Sequence, residues 1–103
     1  MNQSEPNEIP YSATVVAADN QVSTGISDEV VILNSDTGKY HSLRGVAADI
    51  WSLIQEPTTV ATVLDSLLQK YDIDPDTCGR DLTEFLSHLV TEGLVTIQDE
   101  TPA

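Results

Sequence analysis

The spacing of apolar residues changes once along this chain, near Leu43, and that change limits the fold more than any other feature. Before it, apolar residues alternate with polar ones or form short β-branched runs; after it, apolar residues return at every third or fourth position. A period of two belongs to strands with one covered face, and a period near 3.6 belongs to helices with an apolar stripe. The chain therefore reads as sheet first and helices second, an α+β arrangement built as one domain.

In the first half, Val22, Thr24 and Ile26 alternate with Ser23, Gly25 and Ser27, which predicts a strand with one buried face. Glu29 to Leu33 (EVVIL) is β-branched and apolar on both faces, so it is expected in the middle of a sheet. Asn34 to Gly38 (NSDTG) is a run of turn formers, and Lys39 to Leu43 (KYHSL) returns as a third strand, making a hairpin. Upstream, Ala13 to Ala18 is a short apolar run that can extend before the Asp19-Asn20 turn. Residues 1–20 otherwise read as a flexible or partly extended lead-in, polar at the start and interrupted by Pro6 and Pro10.

In the second half, Val46, Ile50, Leu53 and Ile54, widened by Ala47 and Trp51, form a helical stripe that Pro57 stops. Thr59 suits the N-cap of a second helix whose stripe is Val60, Val63, Leu64, Leu67, Leu68 and Tyr71. A third helix has Asp74 as its cap, Pro75 at its first position and Asp76 near its positive end. Its stripe is Cys78, Leu82, Phe85, Leu86, Leu89 and Val90. Gly93 stands where a left-handed residue closes a helix, with Leu94 folding back toward Leu89. Val95 to Ile97 can add a short wing-like strand, and the tail 98–103 is expected to fray. The expected fold is a small three-stranded antiparallel sheet followed by a three-helix winged helix-turn-helix bundle over residues 21–97.

Charge narrows the function classes. The chain has 17 acidic and 4 basic residues, a formal net charge of -13. Phosphate backbones and anionic headgroups are repelled by such a surface, so neither nucleic acid nor membrane is an expected partner despite the winged-helix outline. The third helix begins Asp-Pro-Asp-Thr and offers only Arg80, the wrong charge for a recognition helix. Cys78 is the single cysteine, which excludes an internal disulfide. Its acidic neighbours Asp74, Asp76 and Asp81 oppose a reactive thiolate, so it reads as a small hydrophobe. His41 and His88 lie on different elements with no cysteine pair near either, so no metal is expected. No apolar run approaches the roughly 20 residues that span a bilayer, and the expected location is cytoplasmic. No nucleophile elbow, glycine loop or paired acid and base is present, so no catalytic residue or cofactor is assigned.

The run E-V-V-I-L-N-S-D-T-G-K-Y-H-S-L from Glu29 to Leu43 is followed by A-A-D-I-W at 47–51. Next come T-V-A-T-V-L-D-S-L-L-Q-K-Y-D-I-D-P from Thr59 to Pro75 and F-L-S-H-L-V-T-E-G-L-V from Phe85 to Val95. In this order the segments resemble the PqqD-like family across residues 22–97. Arg44 departs from the pattern, standing where an Asn-like residue often follows the third-strand leucine. The resemblance implies a peptide-recognition element of a ribosomally made, post-translationally modified peptide pathway. Such elements take a precursor's leader segment into a cleft between the third strand and the third helix, where it adds a strand to the sheet. The implied partners are a precursor leader peptide with a leader peptidase and a cyclase, as in lasso-peptide pathways, or a radical-SAM enzyme, as in the PQQ pathway. The lasso type is favoured.

Strand addition uses the unpaired backbone groups of an edge strand, and side-chain pockets supply specificity. The strand residues Lys39, Tyr40, His41, Ser42 and Leu43 contain no proline that would block pairing. Across from them, Leu82 and Phe85 would make an apolar floor, with Cys78 on the same stripe and Asp81 as a polar rim; the acidic surround favours a basic peptide. Each has a plainer reading: Cys78, Leu82 and Phe85 can be core, Tyr40 can merely cover the sheet, and Trp51 is expected in the core. A different class of function also fits, an acidic protein-protein adaptor that binds no leader. An unpaired third strand allows a monomer or a strand-exchanged dimer.

Overall fold

The computed structural model describes residues 9–19, 21–26 and 29–98. In chain order the elements are β1 (Thr14–Ala17), β2 (Gln21–Ile26), β3 (Glu29–Asn34), β4 (Tyr40–Arg44) and α1 (Val46–Leu53). They continue with β5 (Thr58–Thr59), α2 (Val60–Lys70), α3 (Pro75–Thr91) and β6 (Val95–Gln98). The expected antiparallel sheet is present in the order β2-β3-β4, with EVVIL at its centre. The third strand runs one residue later than its sequence pattern predicted, because Lys39 still belongs to the turn: its N–H donates to Thr37 Oγ1 at 3.2 Å.

A second sheet, β5-β1-β6, is formed by pieces far apart in the chain. Thr14 to Ala17 pairs with Gln98 to Val95 on one side, and Thr14 and Val15 pair with Thr59 and Thr58 on the other. The apolar run near the N-terminus is thus a strand, and its Val15 is fully buried. Ile9 of the same segment is also in the core. The backbone here stabilises α2 as well. Helix starts leave N–H groups without partners; Ala13 O accepts from Val60 N at 3.0 Å and Tyr11 O accepts from Ala61 N at 2.9 Å. Thr59 Oγ1 takes a third, from Thr62 N at 3.2 Å.

α3 follows its sequence punctuation. Asp74 caps it through Thr77 N at 3.0 Å, and Pro75 opens it. At the other end Gly93, with φ +78°, turns the chain out of the helix. Gly93 N donates to Val90 O at 3.0 Å and Leu94 N to Leu89 O at 2.9 Å, the two bonds of a Schellman closure. One core joins the layers. Leu67 from α2, Leu82, Leu86 and Leu89 from α3, Ile50, Trp51 and Ile54 around α1, and Ile32 from β3 are all buried. Each such side chain contributes about 1.5–3 kcal/mol relative to exposure.

The sheet β2-β3-β4 gives only one face to this core. Ile32, Asn34 and Leu43 are buried on it, while Val31 and Leu33 are only half-buried on the other face and do not pack against the core cluster.

Candidate functional site

β4 is an edge strand of its sheet, and the hydrogen-bond pattern shows which of its backbone groups are turned outward. Asn34 N donates to Lys39 O at 2.9 Å, and the register continues through Ile32 opposite His41 and Val30 opposite Leu43. In an antiparallel ladder, bonded and non-bonded pairs alternate. His41 and Leu43 therefore point their N–H and C=O groups at β3, and Tyr40, Ser42 and Arg44 point theirs at the open edge. Side chains alternate as well. His41 and Leu43 turn toward the helices, whereas Tyr40, 71% exposed, Ser42 and Arg44 turn away. Ser42 Oγ donates to Glu29, and Arg44 stands 3.7 Å from the same carboxylate, so these outward groups are tied along β3.

Where β4 leads into α1, the three helices enclose a cleft of about 280 Å³ that opens to solvent. Its lining is Val46, Ala47 and Ile50 of α1, Leu67 of α2, Ile73 of the connector, and Cys78, Asp81, Leu82 and Phe85 of α3. All four helix-three residues singled out from sequence are here. Leu82 and Cys78 are buried and Phe85 is half-buried, so they serve as core and cleft wall together. None of the five strand residues, Lys39 to Leu43, lines this cleft; they lie beside it, and Val46 and Ala47 join the two. Val46, Ala47, Ile50, Leu67 and Ile73 were read from sequence only as stripe or connector residues. A helical stripe shows which residues turn inward, but not where the packing between three helices leaves a gap. The cleft is apolar except for Asp81 at its rim. Burial pushes the Cys78 thiol up, and the Asp81 carboxylate adds to this, which keeps it protonated and unreactive.

The far end of α3 is tied to the β3–β4 hairpin. Asn34, 2% exposed, donates from Nδ2 to Glu92 O at 3.0 Å, while its Oδ1 accepts from Asp36 N at 2.8 Å and Thr37 N at 3.3 Å. His41 Nε2 lies 3.9 Å from Glu92 Oε1. β4 and α3 are thereby held as two walls running past each other.

A polar network stands on the other side of α1. Tyr71 Oη donates to Asp49 Oδ2, and Lys70 Nζ is 3.0 Å from the same oxygen. The Tyr71 hydroxyl, followed by the Lys70 ammonium, holds the Asp49 carboxyl below its ordinary value, and Asp49 in turn raises both partners. The network fixes the end of α2 to α1 and so sets where the connector carries Ile73. Among the described residues no group of histidine, cysteine and carboxylate side chains is arranged to hold a metal. No helix among them is long and apolar enough to cross a membrane.

The fold has counterparts in solved structures. TbiB1, in complex with the TbiA(beta) leader peptide, is 34% identical, with a TM-score of 0.74 over 84% of this chain and 99% of that one. A lasso peptide synthetase B1 complexed with its leader peptide is 20% identical, with a TM-score of 0.71 over 80% of this chain and 96% of that one, a likeness of fold. No curated protein matches the chain. Residues 29–95, which carry the central strand, the hairpin, all three helices and the Schellman closure, match the family of coenzyme PQQ synthesis protein D. The chain belongs to the PqqD family.

Proposed function

We propose that this protein binds the leader segment of a ribosomally synthesised precursor peptide, of the lasso type, and presents it to processing enzymes without catalysing a step itself. The observation that carries the reading is the open edge of β4 running beside an apolar cleft walled by α3. An extended peptide can satisfy the outward backbone groups of Tyr40, Ser42 and Arg44 whatever its sequence, and an apolar side chain can enter the cleft for selectivity. Burying one such anchor contributes about 1.5–3 kcal/mol. The 34%-identical TbiB1, bound to a leader peptide, supports the same role here.

Presentation needs a second surface, and the outer sheet face suits it. Val31, Leu33 and the exposed Tyr40 form an apolar patch that the core does not use. Uncovered apolar patches mark protein-protein contacts, and this one borders the edge where the leader would lie. A leader peptidase or cyclase docking there would meet the protein and its peptide together.

Calorimetry with the synthetic leader of a precursor encoded beside this gene tests the reading. Saturable binding is expected, weakened about five- to thirtyfold by Phe85→Ala, the equivalent of about 1–2 kcal/mol. Leu33→Asp should leave leader affinity unchanged while lowering the rate of leader removal by the partner peptidase. Absence of binding to the isolated leader would refute the proposal and favour the acidic adaptor.

A further inference from the structure

An added strand has only some positions from which it can reach inward, and β4 defines them. Opposite Tyr40, Ser42 and Arg44 a peptide residue turns its side chain to the outer face; opposite His41 and Leu43 it turns inward. The two inward positions are two residues apart and meet different chemistry. Leu43 is buried and leads to Val46 and Ala47 at the mouth of the apolar cleft. His41 faces Glu92 at the end of α3.

The His41–Glu92 pair is incomplete. The His41 Nε2 atom is buried without a hydrogen-bond partner, and Glu92 Oε1 at 3.9 Å is beyond hydrogen-bond reach. Both side chains are partly shielded, at 20% and 26% exposure. Buried polar atoms nearly always have partners, and two polar atoms this close can be bridged by one donor group that reaches both from the side. The sign of that third group follows from position. Glu92 caps the C-terminal end of α3, where the helix dipole already places partial negative charge. A carboxylate there is uncompensated by the helix, and the chain as a whole carries -13. A cation answers both.

Resting on the leader-binding reading above, we infer that Glu92 and His41 form a specificity pocket for a lysine or arginine of the bound peptide, two residues away from the apolar side chain that enters the cleft. The cation donates to the Glu92 carboxylate and, through a second N–H, to His41 Nε2. A charge-assisted bond of this kind is the stronger class of hydrogen bond.

Display of a random peptide library against the intact protein, Glu92→Gln and Glu92→Lys tests this pocket. The unmodified protein should enrich peptides with Lys or Arg two positions from an apolar residue. Glu92→Gln should keep the apolar preference and lose the cation, and Glu92→Lys should select Asp or Glu in its place. In calorimetry with the best peptide, replacing its cation by norleucine should weaken binding about tenfold on the unmodified protein and less than about twofold on Glu92→Gln. The Glu92→Gln variant keeps the backbone carbonyl that accepts from Asn34, so its melting temperature should stay near that of the parent. Selected peptides with an apolar residue but no cation at this spacing, or a cation preference that persists on Glu92→Gln, would overturn the pocket and leave leader binding standing. A library that yields no binder would overturn both.

Discussion

Replacing Asn34 tests the connection that holds the two walls of the cleft. Asn34→Ala removes three hydrogen bonds at once: Nδ2 to Glu92 O at 3.0 Å, and the two turn amides of Asp36 and Thr37 that meet Oδ1 at 2.8 and 3.3 Å. The turn amides belong to exposed residues, and water can replace their lost acceptor at little cost. Glu92 O is the costly one, because it is part-buried beside the buried Asn34, and an acceptor left there without its donor forfeits about 1–3 kcal/mol. The expected loss is about 2 kcal/mol, which for a domain of this size lowers the melting temperature by roughly 8–16 °C. Thermal unfolding followed by circular dichroism at fixed concentration measures it directly. Asn34→Asp separates the contributions, since it keeps the acceptor for the turn but loses the donor and sets a carboxylate against Glu92 O. It should be at least as destabilising as the alanine. A loss below about 0.5 kcal/mol for alanine, the scale of an ordinary surface change, would refute the reasoning. So would an aspartate variant as stable as the parent.

Other consequences follow from single contacts. Gly93→Ala should cost about 1–2 kcal/mol, because φ +78° is strained for any Cβ, while Gly93→Asn should cost less; the added Cβ itself meets Asn34 Nδ2 only at an ordinary 3.6 Å. The Asp49 carboxyl is held below its ordinary value by Tyr71 and Lys70, so its contribution is present above the unfolded carboxylate value near ~4 and is lost as pH falls through the folded one. Asp49→Asn should therefore be less stable than the parent at neutral pH, with the gap in urea midpoint closing in acid; a pH-independent gap would contradict this. At Gly79, a Cβ would overlap Tyr11 Oη. Gly79→Ala should swing the Tyr11 ring off α3 and speed hydrogen exchange at Ala61 N–H, whose acceptor is Tyr11 O, even though alanine favours the helix.

Much of this protein is decided locally, and local decisions are legible in sequence. The caps at Thr59 and Asp74, Pro75 at the start of α3 and Gly93 at its end each act within one helical turn, so residue type alone placed them. EVVIL was readable as a central strand from its β-branched, apolar run, although only one of its faces meets the core. The α3 side of the cleft, Cys78, Asp81, Leu82 and Phe85, was legible from a stripe combined with a family resemblance. What lay beyond reach depended on distant partners. β5 is two threonines whose extended form exists because β1 lies alongside, and β1 itself is completed by β6 from the opposite end of the chain. Asn34 reads as a turn residue, and only the approach of α3 gives its Nδ2 the carbonyl of Glu92. His41 and Glu92 are likewise brought together by tertiary packing. Periodicity tells a side chain which way to face; the neighbour it then meets is set by how separate layers close over one core.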